Sequence, residues 1–230
     1  KIYKMVEKIN LEIQMEYSLR STIINPESKV KNAVILCHGY GGDGKDISIV
    51  AHYWKNFLKN TLFICPDAPE TCKVNPAGFQ WFDLMDETED EILSKSLIAE
   101  SKLNKFISEV MEKNNLNINQ ISLVGFSQGC MISLQTALKR KDQIKCLIGY
   151  SGKILNTGHL SKNIYSRPEI FLMHGDIDKV VPITSLLEAK EFFINQNYKI
   201  HTKIFKNCEH RIPTEGLSLG LEFLKKNLNI

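Results

Sequence analysis

The segment LVGFSQGCMISL, residues 123–134, changes from a strand-like to a helix-like pattern at a single serine, Ser127. Apolar residues precede this serine as in a buried strand, and helix-forming residues follow it. Gly125 and Gly129 stand two positions away on either side, so GFSQG matches the G-x-S-x-G pattern of a nucleophile elbow. Glycine is needed there because the strand and helix backbones approach closely at so sharp a turn. The segment therefore predicts an exposed, reactive serine.

The rest of the chain alternates between strand-like and helix-like segments. Short continuous apolar runs such as AVILC are typical of parallel strands that are buried on both faces. Predicted strands lie at 11–20, 33–37, 62–65, 121–125, 146–150, 169–173 and 199–205, and predicted helices at 46–59, 88–114, 128–140, 183–195 and 214–227. This alternation predicts an α/β fold with a mostly parallel central sheet flanked by helices on both faces. Since no linker divides the sequence, we expect residues 1–230 to form one domain.

Two local features qualify this prediction. The loop between the strands at 146–150 and 169–173 is too short to hold a lid domain over the sheet. The acidic run DETEDE at 86–91 is interpreted as the solvated start of a helix, because carboxylates are favoured at helix N-termini. Ser94 and Ser96 leave open whether that helix is continuous.

Composition argues against several classes of protein. Of 230 residues, 43% are hydrophobic and 24% charged, which is ordinary for a globular protein. A net charge of +3, without a basic cluster among aromatic residues, argues against nucleic-acid binding. No apolar run approaches the ~20 residues of a transmembrane helix, and the N-terminal residues do not resemble a signal peptide. Six cysteines without metal-site spacing favour a reducing compartment, so we expect a cytoplasmic protein without a metal.

A nucleophilic serine requires a base to take its proton and an acid to orient that base. In this type of fold they follow the serine in the order acid, then histidine. His201 lies within a predicted strand, His174 ends another, and His159 precedes any suitable acid. His210 is the best candidate base, because its loop between the last strand and last helix can reach the carboxyl edge of the sheet.

The candidate acids are Asp176 and Asp178 in HGDIDKVVP, directly after the strand at 169–173. Loops at the carboxyl ends of parallel strands are where an α/β sheet places its site. Periodicity does not choose between the two carboxylates. Asp176 stands where a side chain often caps turn amides, and Asp178 is preferred only because it lies farther out.

Backbone amides are the expected donors to the oxyanion that forms during acyl transfer. One is the amide that follows the nucleophile, which belongs to Gln128. A second is expected from the glycine-rich loop HGYGGDG at 38–44. A phosphate-binding role for this loop is disfavoured, because it lacks the lysine and Ser/Thr ending of a P-loop.

Six blocks, LCHGYGGDG, PDAPE, WFDL, GFSQGCM, HGDIDKVVP and EHRIP, occur in this order over nearly the whole chain. In them the sequence resembles the phospholipase/carboxylesterase family of α/β hydrolases, which includes the acyl-protein thioesterases. The resemblance implies an α/β-hydrolase fold and a cofactor-free, often dimeric esterase. It also implies the roles of five residues: Ser127 as nucleophile, Asp178 rather than Asp176 as acid, His210 as base, and the Tyr40 and Gln128 amides as the oxyanion hole.

The same resemblance places WFDL near the acyl-binding groove, so Trp81 and Phe82 are candidate substrate-binding residues, with a role in the core as the alternative. Two departures from the family pattern are present. Tyr40 stands where leucine is common, and its phenol is expected to narrow or polarise the pocket. Beside His210, the chain carries charged and thiol-bearing residues where the family commonly has small or neutral ones: Cys208, Glu209 and Arg211. This change is expected to alter the pKa of the base or to favour an anionic substrate.

The predicted function is that of a serine carboxylesterase. It would cleave ester or thioester bonds of short- to medium-chain acyl substrates, through an acyl-enzyme on Ser127. The expected substrate is a small-molecule acyl ester or an acylated protein, without nucleic acid, integral membrane segment or cofactor. Alternatives are an acyl-protein thioesterase or lysophospholipase, a peptidase or lactone hydrolase on the same fold, and a catalytically silent receptor or scaffold.

Overall fold

The structure, a computed structural model, describes residues 17–85 and 88–230. A seven-stranded sheet forms its centre, with strand order β1-β3-β2-β6-β7-β8-β9. The strands are β1 (Ser21–Ile24), β2 (Asn32–Cys37), β3 (Thr61–Pro66), β6 (Ile121–Phe126), β7 (Cys146–Tyr150), β8 (Glu169–Gly175) and β9 (His201–Phe205). Neighbouring strands are parallel except for β1, which pairs antiparallel with β3. The short strands β4 (Glu70–Thr71) and β5 (Phe79–Gln80) form a separate antiparallel pair.

The helices lie between the strands and continue the predicted alternation. They are α1 (Gly44–Trp54), α2 (Glu89–Asn114), α3 (Gln128–Lys139), α4 (Thr157–Ser161), α5 (Thr184–Asn195) and α6 (Thr214–Leu228). The helix α2 is continuous through 94–96 and begins at a capping box, in which Thr88 and Glu91 bond each other's backbone amides. The predicted acidic helix start is therefore confirmed from Thr88 onward, and Asp86 and Glu87 lie outside the described residues.

Apolar side chains cover the sheet on both faces. On one face, residues of α2, α3 and α5 such as Phe106, Ile132 and Phe193 are buried against the strands. On the other face, Trp54 of α1 and Leu224 of α6 close a second core. Burial on both faces explains the continuous apolar runs of β2, β3 and β7, and it confirms the predicted fold class.

The edge of the sheet differs from the sequence prediction. The predicted strand at 11–20 lies mostly outside the described residues, and residues 17–20 are not part of a strand, with bends at 17–19. The edge strand is β1, whose four residues are too few to show a clear alternation. Between β7 and β8 the chain carries only the short helix α4. Within residues 17–85 and 88–230, no helix is long and apolar enough to cross a membrane.

Candidate active site

Ser127 lies at the turn between β6 and α3 with φ 53° and ψ −119°, a conformation rare for a residue with a side chain. Its amide donates to the Tyr150 carbonyl at 2.9 Å, which holds the strained turn against β7. A Cβ added at Gly129 would lie 2.0 Å from the Cys37 carbonyl oxygen, and one at Gly125 would lie 2.4 Å from the Gly129 oxygen. Glycine is therefore obligatory on both sides of the serine, as the elbow pattern requires.

The structure brings three of the candidate residues into one hydrogen-bonded line. His210 Nε2 lies 3.0 Å from Ser127 Oγ. On the opposite side of the ring, His210 Nδ1 lies 2.7 Å from Asp178 Oδ2. Because an ionised carboxylate only accepts hydrogen bonds, Nδ1 carries the proton and Nε2 is left to accept from the serine hydroxyl. This is the tautomer that a base for Ser127 needs.

Asp178 is buried and its second oxygen is also occupied. Its Oδ1 accepts from the amides of Val180 and Val181, each at 2.9 Å. Burial raises the pKa of Asp178, but the hydrogen bonds from His210, Val181 and Val180 outweigh it and keep the pKa below the usual aspartate value. The carboxylate therefore stays ionised in its place beside His210.

The other candidate acid, Asp176, faces Cys208 and Lys206 instead of the His210 ring. Its Oδ1 accepts from the Cys208 amide at 3.3 Å, and its Oδ2 lies 3.9 Å from Lys206 Nζ. It therefore ties the loop after β8 to the loop that carries His210, while Asp178 makes the contact with the imidazole.

Of the other downstream histidines, only His174 comes close to this line of residues. Its buried Nε2 donates to the Val181 carbonyl at 2.8 Å and lies 3.4 Å from Asp178 Oδ2. Burial lowers the pKa of His174, so its imidazole is neutral at ordinary pH. His201 faces Glu169 and His159 lies in α4, and neither contacts Ser127.

His38, which sequence reasoning left unassigned, holds the start of the glycine-rich loop. Its Nε2 accepts from the Ala68 amide at 2.9 Å, and its Nδ1 lies 2.7 Å from the Gly39 carbonyl. Because the amide must donate, Nδ1 carries the proton and donates to Gly39. Burial lowers the pKa of His38, which keeps this neutral tautomer in place.

The candidate oxyanion amides lie on the two segments that meet at Ser127. Gln128 is the first residue of α3, and Tyr40 belongs to the loop after β2. In the part of the chain that the structure describes, neither amide donates to a protein acceptor. The loop passes close to the nucleophile, since a Cβ added at Gly39 would lie 3.2 Å from the Ser127 Cβ. Burial raises the pKa of Tyr40 to about 12, so its phenol stays protonated.

The Gln128 side chain joins the elbow to the WFDL segment. Its Oε1 accepts from the Trp81 amide at 2.9 Å, and its Nε2 donates to the Phe82 carbonyl at 2.6 Å. Trp81 Nε1 in turn donates to the His38 carbonyl at 3.0 Å. Both aromatic side chains are fully buried. The structure therefore places Trp81 and Phe82 in the core beneath the site, which is the alternative predicted for them, and their contact with a substrate stays a prediction.

A cavity of about 460 Å³, here called the His210 cavity, opens beside the imidazole. His38, Tyr40 and His210 line its inner end. Apolar side chains form its walls: Ile47, Ile49, Val50, Phe126, Ile212 and Leu217. Another cavity of about 520 Å³ lies near Asn32 and Lys145, at the amino ends of the strands. It lies at the opposite edge of the sheet from Ser127, so of these two cavities the His210 cavity is the one beside the candidate site.

Residues 19–228 match the family model described as Phospholipase/Carboxylesterase. The chain belongs to this family. It is 28% identical to acyl-protein thioesterase 1 of Saccharomyces cerevisiae, over 86% of this chain and 94% of that protein. Esterase YpfH of Escherichia coli K12 is 22% identical, over 87% of this chain and 85% of that protein. The crystal structure of esterase PE8 superposes with a TM-score of 0.87 at 32% identity, over 91% of this chain and 99% of that one.

Other solved structures share the fold at lower identity. Arabidopsis thaliana SOBER1 superposes with a TM-score of 0.72 at 20% identity, over 86% of this chain and 99% of that one. The family confirms the predicted enzyme class, a carboxylic ester hydrolase of the serine hydrolase type.

Proposed function

We propose that Ser127 is the nucleophile of this esterase, that His210 is its general base, and that Asp178 orients the base. The contacts of 3.0 Å between His210 Nε2 and Ser127 Oγ and 2.7 Å between His210 Nδ1 and Asp178 Oδ2 support this assignment above all others. A serine hydroxyl is a weak nucleophile until a base in hydrogen-bond contact takes its proton.

In the proposed reaction, Ser127 Oγ forms a bond to the acyl carbon while its proton moves to His210 Nε2. The carbonyl oxygen becomes an oxyanion, and the amides of Tyr40 and Gln128 donate to it. The bond from the acyl carbon to the alcohol oxygen or thiol sulfur then breaks, and His210 returns the proton to that leaving atom. Water, activated by the same imidazole, releases the acid from the acyl-enzyme. No cofactor or metal takes part.

The proposed substrates are esters or thioesters of short- to medium-chain acids, on a small molecule or on an acylated protein. The names of relatives support both classes, since one is an acyl-protein thioesterase and another an esterase. Acyl-protein thioesterase or lysophospholipase activity is the nearest alternative. We further propose that residues 1–230 form one domain and that the protein is cytoplasmic. We also propose a homodimer, and size-exclusion chromatography with light scattering would test this oligomeric state.

The decisive experiment compares hydrolysis of p-nitrophenyl esters, from acetate to laurate, by the wild type and by Ser127→Ala. We expect kcat to fall by at least ~10³-fold, because the hydroxyl that forms the acyl-enzyme is gone. Ser133→Ala, a buried serine on the same helix, is the matched control and should stay within about two-fold of the wild type.

The alternatives give different results in the same experiment. Full activity of Ser127→Ala would reject the proposed nucleophile. A wild type that neither hydrolyses any ester nor reacts with a fluorophosphonate would instead support the catalytically silent receptor. The acyl length at which kcat/KM is highest defines the size of the acyl site.

A further inference from the structure

The His210 cavity begins at the residue that we propose returns the proton to the leaving atom. For that transfer, the alcohol oxygen or thiol sulfur must lie within about 3 Å of His210 Nε2. Whatever is attached to the leaving atom therefore extends from a point beside the imidazole. Because His210 itself lines the cavity, the space between α1 and α6 is open to this group.

The walls of this cavity favour an apolar body. Side chains from α1, such as Ile47 and Val50, face Leu217 of α6 and Ile212 of the preceding loop. Ile49, also in α1, is 70% exposed and stands where the cavity meets solvent. A volume of about 460 Å³ is in the range of sites that hold small organic molecules. An aromatic or medium-length aliphatic group fits such a space.

Two charged residues also line the cavity, and their surroundings differ. Asp46 lies in the first turn of α1, where the helix N-terminus stabilises its negative charge. Arg211 is exposed, and within the described chain its guanidinium makes no hydrogen bond or ion pair. The guanidinium is therefore a cation in the cavity lining that a bound group can reach. A guanidinium pairs best with a carboxylate, which it can hold through two parallel hydrogen bonds.

We propose that the His210 cavity is the leaving-group site, and that it selects apolar alcohols or thiols that carry a carboxylate, which pairs with Arg211. This inference rests on the proposed role of His210 and adds a substrate class to it. Arg211 is a specificity residue here and takes no part in the proton transfers.

The experiment uses two pairs of esters on the intact protein. In the first pair, 4-carboxyphenyl butyrate is compared with 4-(methoxycarbonyl)phenyl butyrate, so that only the leaving group changes charge. In the second, mono-4-nitrophenyl adipate is compared with 4-nitrophenyl hexanoate, so that only the acyl group does. For each pair the anionic-to-neutral ratio of kcat/KM is measured, since a ratio compared between variants cancels the intrinsic reactivity of the esters.

We expect Arg211→Gln to lower the ratio of the first pair about five-fold, which is typical for loss of a partly exposed charge pair. The second pair should keep its wild-type ratio, and Arg211→Lys should recover part of the loss. Lys206→Gln is the matched control, because it removes an equally positive charge from a side chain that is 87% exposed and outside the cavity. It should leave both ratios unchanged.

Each outcome bears on a separate statement. An unchanged first ratio in Arg211→Gln, in an enzyme whose activity depends on Ser127, overturns the carboxylate site and leaves the proposed function intact. A fall confined to the second pair shows that the cavity holds the acyl group and overturns its assignment to the leaving group. Activity that does not depend on Ser127 rejects the proposed function itself.

Discussion

The loops that follow β2 and β8 are built alike and supply different chemistry. A His-Gly pair marks the change from strand to loop in both, directly after β2 and at the last two residues of β8, and each histidine is buried with its ring bonded to the backbone. His38 accepts from the Ala68 amide, and His174 donates to the Val181 carbonyl. The first loop passes beside Ser127 and carries the proposed oxyanion amide of Tyr40, whereas the second places the Asp178 carboxylate beside His210. Similar local arrangements thus position a proposed hydrogen-bond donor in one loop and an acceptor in the other.

The glycines of the two pairs meet different neighbours. An added Cβ at Gly39 would approach side chains, at 3.1 Å from Phe126 and 3.2 Å from Ser127. At Gly175 it would lie only 2.1 Å from the Cys208 carbonyl oxygen. The first loop therefore packs closely against the Ser127 side chain, and the second packs against the backbone that carries His210.

The largest expected effect concerns the acid in the second loop. Asp178→Asn should lower kcat for p-nitrophenyl butyrate by ~10⁴-fold, because an amide no longer holds the productive tautomer of His210. Asp176→Asn should lower it less than about ten-fold, since within residues 17–85 and 88–230 the Asp176 side chain contacts the Cys208 amide and Lys206 rather than His210. Equal losses in the two variants would contradict the assignment of Asp178 and restore Asp176 as a candidate.

Alanine at the two glycines should separate catalysis from stability. Gly39→Ala should lower kcat by ~10²-fold, because displacing an oxyanion amide costs about that much, with a smaller loss of stability. Gly175→Ala should lower the free energy of unfolding by about 3 kcal/mol or more, because its Cβ meets rigid backbone. Kinetics and urea denaturation of both variants measure the two effects. A Gly39→Ala enzyme with wild-type kcat would show that the loop does not contact the transition state.

The smallest expected effect is a pH dependence shared by the two buried histidines. Burial lowers the pKa of both His38 and His174. Each ring is therefore protonated near pH 6.5 in the unfolded chain, but only at a lower pH in the folded protein. The stability they contribute is complete above that pH and is lost as the pH falls below it. The slope is at most about 1.4 kcal/mol per pH unit for each ring.

Glutamine at either position can keep the hydrogen bond to the backbone without titrating. His38→Gln and His174→Gln should therefore each flatten the fall in unfolding free energy between about pH 7 and pH 5. Urea denaturation at four pH values measures the slopes. Slopes identical to the wild type in both variants would show that neither ring resists protonation in the folded state.

The features predicted correctly from the sequence are those with a local signal. The elbow shows itself within five residues, and buried strands show themselves as continuous apolar runs. The hydrogen bonds that hold the site in place have no local sequence pattern, because the two residues of each bond are far apart in the chain. His38 meets Ala68 across 30 residues, and Gln128 meets Trp81 across 47. The burial of Trp81 follows from this long-range contact, so WFDL alone could not separate a core aromatic from a binding aromatic.

Short elements were missed for a related reason. The strands β4 and β5 have two residues each, which is too few for any periodicity. The His210 cavity depends on α1 and α6 lying side by side, although about 160 residues separate them along the chain. The sequence marks Arg211 as an unusual neighbour of His210, but the position of Arg211 in a cavity depends on the packing of the two helices.

The two tryptophans of this chain make its site visible to fluorescence without a label. The indole N–H of Trp81 donates to the His38 carbonyl, and that of Trp54 donates to the Leu217 carbonyl at 2.9 Å. Both acceptor residues line the His210 cavity, His38 at its inner end and Leu217 in its apolar wall. Emission from a buried indole depends on such bonds, so binding in the cavity and loosening of either part of the lining should each change the spectrum. Single Trp→Phe variants would then assign every change to one part of the lining.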